Sequence, residues 1–149
     1  MTGESRLRTA LAAIFYFGAI GTIAELVLLG HFEEPLQFAP SIALILAALA
    51  LGWALARPSP RILYVTRWTM LLLLVVAAVG VVLHYRANME IELEMAPYAG
   101  GLPLLWLALR GGTPALAPGL MAHLGLIGFL YTYGHPALER DTSNRENTS

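Results

Sequence analysis

The sequence predicts an all-α integral membrane protein: a bundle of four transmembrane helices with both termini in the cytoplasm. Three observations carry this expectation. The chain contains four long apolar stretches, and its arginines fall mostly on one side of them. Charged residues make up 13% of 149, whereas a soluble domain carries about 25%.

The spans follow in order. Leu7–Gly30 is apolar with one interruption, Glu25. Leu36–Ala56 and Ala115–Tyr133 carry no charge, and neither does Trp68–Leu83, which Ile62–Tyr64 extends past Arg67. About 20 apolar residues cross the hydrocarbon core as a helix. The expected spans are 7–30, 36–56, 62–86 and 114–134, forming one membrane domain over 1–138. The N-terminus has the basic start of a signal peptide, but its apolar run leads to Glu25 without a small-x-small cleavage site, so it reads as a retained span. Glu139–Ser149 lacks any apolar residue and reads as a disordered cytoplasmic tail.

Orientation comes from arginine. Arg6, Arg8, Arg57, Arg61, Arg67, Arg140 and Arg145 fall on one side, with only Arg86 and Arg110 opposite. The positive-inside rule makes the first side cytoplasmic, and on this reading orientation is all that the inner arginines serve. The outer side holds six carboxylates: Glu25, Glu33, Glu34, Glu90, Glu92 and Glu94. Lysine is absent, and Ala, Leu and Gly abound. That composition suggests a GC-rich bacterial genome and hence the cytoplasmic (inner) membrane.

The connections are unequal. His31–Pro35 and Arg57–Arg61 are tight, whereas the outer loop, 87–113, is long. Within it Met89–Met95 alternates glutamate with apolar residues, and period two predicts an extended acidic segment on the outer end of the bundle. Leu102–Leu109 is apolar but only about 12 Å long as a helix, which predicts an interfacial or re-entrant helix. Thr113 and Pro114 suit the N-cap and first position of span 4. A faint internal repeat is also visible. His31-Phe32 and His84-Tyr85 close spans 1 and 3, while Ala39-Pro40 and Ala117-Pro118 stand near the start of spans 2 and 4.

Cysteine is absent, which excludes disulfide chemistry, thiolate-bound zinc and the usual iron–sulfur ligation. No phosphate loop, nucleophile elbow or dinucleotide fingerprint occurs, and no basic patch suits nucleic acid. Two ionisable residues lie within spans. Glu25 shares a helical face with Gly18, Gly21 and Thr22, and an intramembrane carboxylate is costly unless paired, protonated or hydrated. It reads either as a proton, cation or ligand site or as an interhelical partner of Arg86. His123, near mid-membrane, reads as a proton relay, an axial ligand or a neutral hydrogen-bonded imidazole. His135, at the cytoplasmic end of span 4, suits the helix dipole.

The outer constellation is His31, Glu33, Glu34, His84, Asn88, Glu90, Glu92 and Glu94. Imidazoles with carboxylates suit a divalent metal, with His31, His84, Glu90 and Glu92 as the candidate ligands. The same two histidines could bracket a haem iron, and the plain alternative is a solvated acidic rim. The expected role is an accessory or assembly subunit rather than an enzyme. It would act through the outer loop and helix faces on another membrane protein or a second copy, with the bilayer as its constant partner. One alternative is a small transporter or cation- or metal-binding protein using Glu25, His123 and the outer cluster. The other is a haem-binding protein or membrane enzyme using His31 and His84.

Overall fold

The protein is described by a computed structural model covering residues 3–112 and 118–138. The expected tail, 139–149, and the Thr113-Pro114 cap lie outside the described residues. Every regular element described is helical: α1 (Gly3–Leu28), α2 (Phe38–Ala56), α3 (Pro60–Met95), α4 (Gly101–Leu109) and α5 (Gly119–Thr132). A single 3-10 turn, Pro35–Gln37, leads into α2. Among the described residues, three segments are long and apolar enough to cross a membrane: Gly3–Leu28, Pro35–Ala56 and Pro60–Met95. α5 is apolar over its 14 described residues, about 21 Å of helix against a hydrocarbon core of about 30 Å.

Local chemistry sets the helix ends. Gly30, at φ 63°, closes α1 in a Schellman turn. Its N–H donates to the Val27 carbonyl at 3.1 Å, and the His31 N–H donates to Leu26 at 3.0 Å. The Gln37 side chain then accepts from the Glu33 and Glu34 N–H groups at 2.8 and 3.2 Å. On the other side of the molecule, Ser59 caps α3 through the Ile62 N–H, with Pro60 at the first helical position.

α3 differs most from the sequence expectation. It runs unbroken for 36 residues, about 54 Å, and so outreaches the hydrocarbon core by some 20 Å. The expected extended segment, Met89–Met95, is helical, and His84 lies inside a helix rather than at its end. The cause is twofold. Met, Glu, Leu and Ala are strong helix formers, and nothing between Gly80 and Pro97 breaks the helix. A lone strand would also leave its backbone groups unpaired, whereas a helix satisfies them internally. The repeat is correspondingly uneven: Pro40 and Pro118 both stand near helix starts, but the two histidines do not occupy matching ends.

α1, α2, α3 and α5 pack side by side, with α1 against α2 and α5, and α3 against α2 and α5. Small residues permit the close approach expected inside a bilayer. Ala43, Ala47, Ala50 and Ala54 form the buried stripe of α2. A Cβ on Gly125 would stand 3.0 Å from the Met70 carbonyl oxygen, and one on Gly128 would strike the Met70 side chain. The glycines of α5 therefore serve packing on α3. Interhelical hydrogen bonds reinforce it: Tyr16 donates to the Ala48 carbonyl at 2.7 Å, and Thr66 to Ala50 at 3.1 Å.

Arg8 and Arg67 do more than add positive charge at one end of the bundle. The Arg8 guanidinium donates to the carbonyls of Tyr131, Tyr133 and Gly134 at 2.6, 3.1 and 2.7 Å. Arg67 donates to the Thr132 carbonyl and to its hydroxyl, both at 3.0 Å. The carbonyls that end α5, which have no partner within the helix, are thus covered by guanidinium groups. Replacing Arg8 with Ala should destabilise the protein by on the order of 2–3 kcal/mol, the scale of charge-assisted hydrogen bonds. Arg8→Lys should recover only part of that loss, because an ammonium lacks the planar fork. Thermal unfolding in micelles followed by tryptophan fluorescence measures both.

Candidate functional site

The residues expected to carry chemistry resolve into two places. The first is a groove of about 460 Å³ between α1 and α5. Its α1 wall includes Gly18, Gly21, Thr22 and Glu25, the face read from helical spacing, and its α5 wall includes His123 and Leu124. The arginine clamp makes α1 and α5 antiparallel. Gly18 then abuts Leu124, whose methyl group would lie 2.6 Å from a Cβ at residue 18. His123 is therefore level with about Gly18, and Glu25 lies roughly 10 Å further along the axis at 1.5 Å per residue. They are not a hydrogen-bonded dyad. Glu25 marks the shallow end of one groove and His123 its middle, with Ile14 and Ile127 lining it further in.

Glu25 sits shallower than its sequence position suggested, because α1 ends at Leu28 and places it in the last turn. The expected Arg86 partner does not form: among the described residues neither side chain makes a hydrogen bond or ion pair. Thr22 donates its hydroxyl to the Gly18 carbonyl at 2.9 Å. His123 Nδ1 lies 2.7 Å from the Gly119 carbonyl oxygen. A carbonyl only accepts, so Nδ1 carries the proton and Nε2 keeps its lone pair when the ring is neutral. Phe17 and Ile14, also on the α1 wall, are 84% and 54% exposed, so the groove opens sideways between the helices.

The second place is the end of the bundle away from the arginine clamp. His31, fixed just beyond the Schellman glycine, meets His84 edge to face with ring centroids 6.3 Å apart and planes at 62°. The candidate carboxylates do not complete this pair. Glu90 and Glu92 are two residues apart on a helix and so point about 200° away from each other. Among the described residues, no three of His, Asp or Glu gather where they could hold a metal ion. Glu33, Glu34, Glu90 and Glu94 are exposed.

Asn88 is the organising residue of this end. It is 1% exposed and donates through Nδ2 to the Ala108 carbonyl at 2.9 Å. Gly111 packs so closely on Asn88 that a Cβ there would overlap its side chain. Gly80, His84 and Asn88, four residues apart, thus meet Pro118, His31 and the end of α4 in turn along one face of α3. His135 serves locally, its Nδ1 accepting the Ala137 N–H at 3.2 Å beside Tyr131.

Comparison of the chain with protein-family models, curated proteins and solved structures gives no match.

Sequence reasoning missed the structural role of Arg8 and Arg67. The signal was available: Arg8 falls on the same helical stripe as Ala12, Phe15, Ala19 and Thr22, the buried face of α1. Substituting Asn88 with Ala should cost about 1–3 kcal/mol by leaving a buried carbonyl unpaired. Deuterium uptake should rise across 101–112 and stay unchanged in α2; unchanged uptake across 101–112 would count against the role given to Asn88.

Proposed function

We propose that the chain is a small four-span protein of the bacterial inner membrane, both termini cytoplasmic, that binds and translocates a small organic cation through the groove between α1 and α5. The fourth span is the apolar stretch 114–134, of which α5 forms the described part. The observation that carries the reading is that Glu25 and His123, ionisable residues of two different apolar spans, line the same groove. An unpaired intramembrane carboxylate is by default a functional group. Glu25 also stands in the last turn of α1, where the negative end of the helix dipole adds to its charge. A cation is favoured there on both counts.

A second reading, an accessory subunit that docks a partner helix, draws on the open space around Gly21, whose Cβ would meet nothing within 4 Å. α4 would then be an interfacial helix folded back on the outer extension of α3. The two readings separate on transport.

In proteoliposomes with an imposed pH gradient, uptake of radiolabelled guanidinium, which stays charged and carries N–H donors, should depend on the protein. It should fall at least tenfold in Glu25→Gln with the elution profile unchanged. Uptake indifferent to that substitution removes the transport reading and leaves the accessory one. Because the chain is cysteine-free, single cysteines test topology. Positions 90 and 94 should label with an impermeant maleimide from outside, and position 57 only after permeabilisation; the reverse pattern would invert the orientation.

A further inference from the structure

The polar groups of the α1/α5 groove are all of one kind. Thr22 spends its hydroxyl proton on the Gly18 carbonyl, and His123 spends its Nδ1 proton on the Gly119 carbonyl. What remains is a threonine lone pair, the Nε2 lone pair and the Glu25 carboxylate. Among the described residues the groove therefore presents acceptors and, with neutral His123, no free side-chain donor. No described arginine lines it. Between these groups the surface is apolar, with Phe17 and Ile14 on one wall and Leu124 on the other. The volume, about 460 Å³, falls in the range of ligand pockets, about 300–1,000 Å³.

We propose that this groove selects an amphiphilic amine, its ammonium N–H groups donating to Glu25 at the shallow end and its apolar body lying along Phe17 and Leu124 toward His123. The inference rests on the cation reading above and narrows it. Charge alone would admit any organic cation, whereas an acceptor-only lining discriminates by hydrogen bonding. A quaternary ammonium of equal length carries the same charge but no N–H, so it leaves the carboxylate attracted but not hydrogen-bonded. Sites built around hydrogen bonds discriminate strongly against analogues that lack the matching group. The sideways opening gives an amphiphile a direct path from the lipid, with its charged end at the depth of the last turn of α1.

The test is equilibrium binding of radiolabelled decylamine and decyltrimethylammonium to the full chain in phosphatidylcholine nanodiscs, with empty discs subtracted. Decylamine should bind saturably at one per chain. Decyltrimethylammonium should bind at least tenfold more weakly, and Glu25→Gln should weaken decylamine at least tenfold. Gly21→Leu fills the groove from a position with open space around it and should abolish binding without unfolding the protein. Equal binding of the two probes, both lost in Glu25→Gln, overturns the hydrogen-bond selection while leaving the cation reading intact. Binding of neither probe through Glu25 overturns both. Decylamine binding untouched by Gly21→Leu overturns the assignment to this groove. So does a dimer that Gly21→Leu converts to monomers with no amine bound, since the groove would then belong to a second copy.

Discussion

Four consecutive carbonyls at the end of α5, from Tyr131 to Gly134, are held by the guanidinium groups of Arg8 and Arg67. A helix end leaves such carbonyls without partners, and close to a hydrocarbon phase water cannot be relied on to satisfy them. Arginine suits the task because it offers five donors in a planar fork and stays charged. It also complements the negative end of the helix dipole. The two arginines come from α1 and α3, so one set of bonds ties three helices together at a single depth. Gly134, at φ 53°, turns the chain where these carbonyls converge.

The groove follows from that tie. With Arg8 bound to the end of α5, α1 must run antiparallel to it in a fixed register, which sets Gly18 against Leu124. The absence of a side chain at Gly18 brings the helices together there, whereas a Cβ at Gly21 would meet nothing within 4 Å. Arg8 and Arg67 thus also determine which residues share the groove. The opposite end of the bundle is organised separately: the extension of α3 carries Asn88, which holds the α4 carbonyl, and His84, which meets His31.

Much of this was legible in the sequence. Helix positions follow from apolar length, and the shared face of Gly18, Gly21, Thr22 and Glu25 follows from helical spacing alone. That Glu25 and His123 line one groove was not, because it depends on which helices are neighbours. The acidic segment misled for a definite reason. Period-two alternation signals a strand only where a partner strand can take up its hydrogen bonds. Met89–Met95 has none, so intrinsic propensity decided in favour of helix. The inner arginines were understood only as topology signals. Arg8 and Arg67 differ from Arg57 and Arg61 in lying on helical faces that are otherwise buried, a periodicity that the charge count by itself does not register.

The central claim is that the Arg8 tie sets the register of α1 against α5. In this cysteine-free chain, Gly18→Cys combined with Leu124→Cys gives a pair that should form a disulfide rapidly under mild oxidation in membranes. The same pair on an Arg8→Ala background should cross-link several-fold more slowly. Failure of the first pair to cross-link, or equal rates with and without the Arg8 guanidinium, would contradict the account.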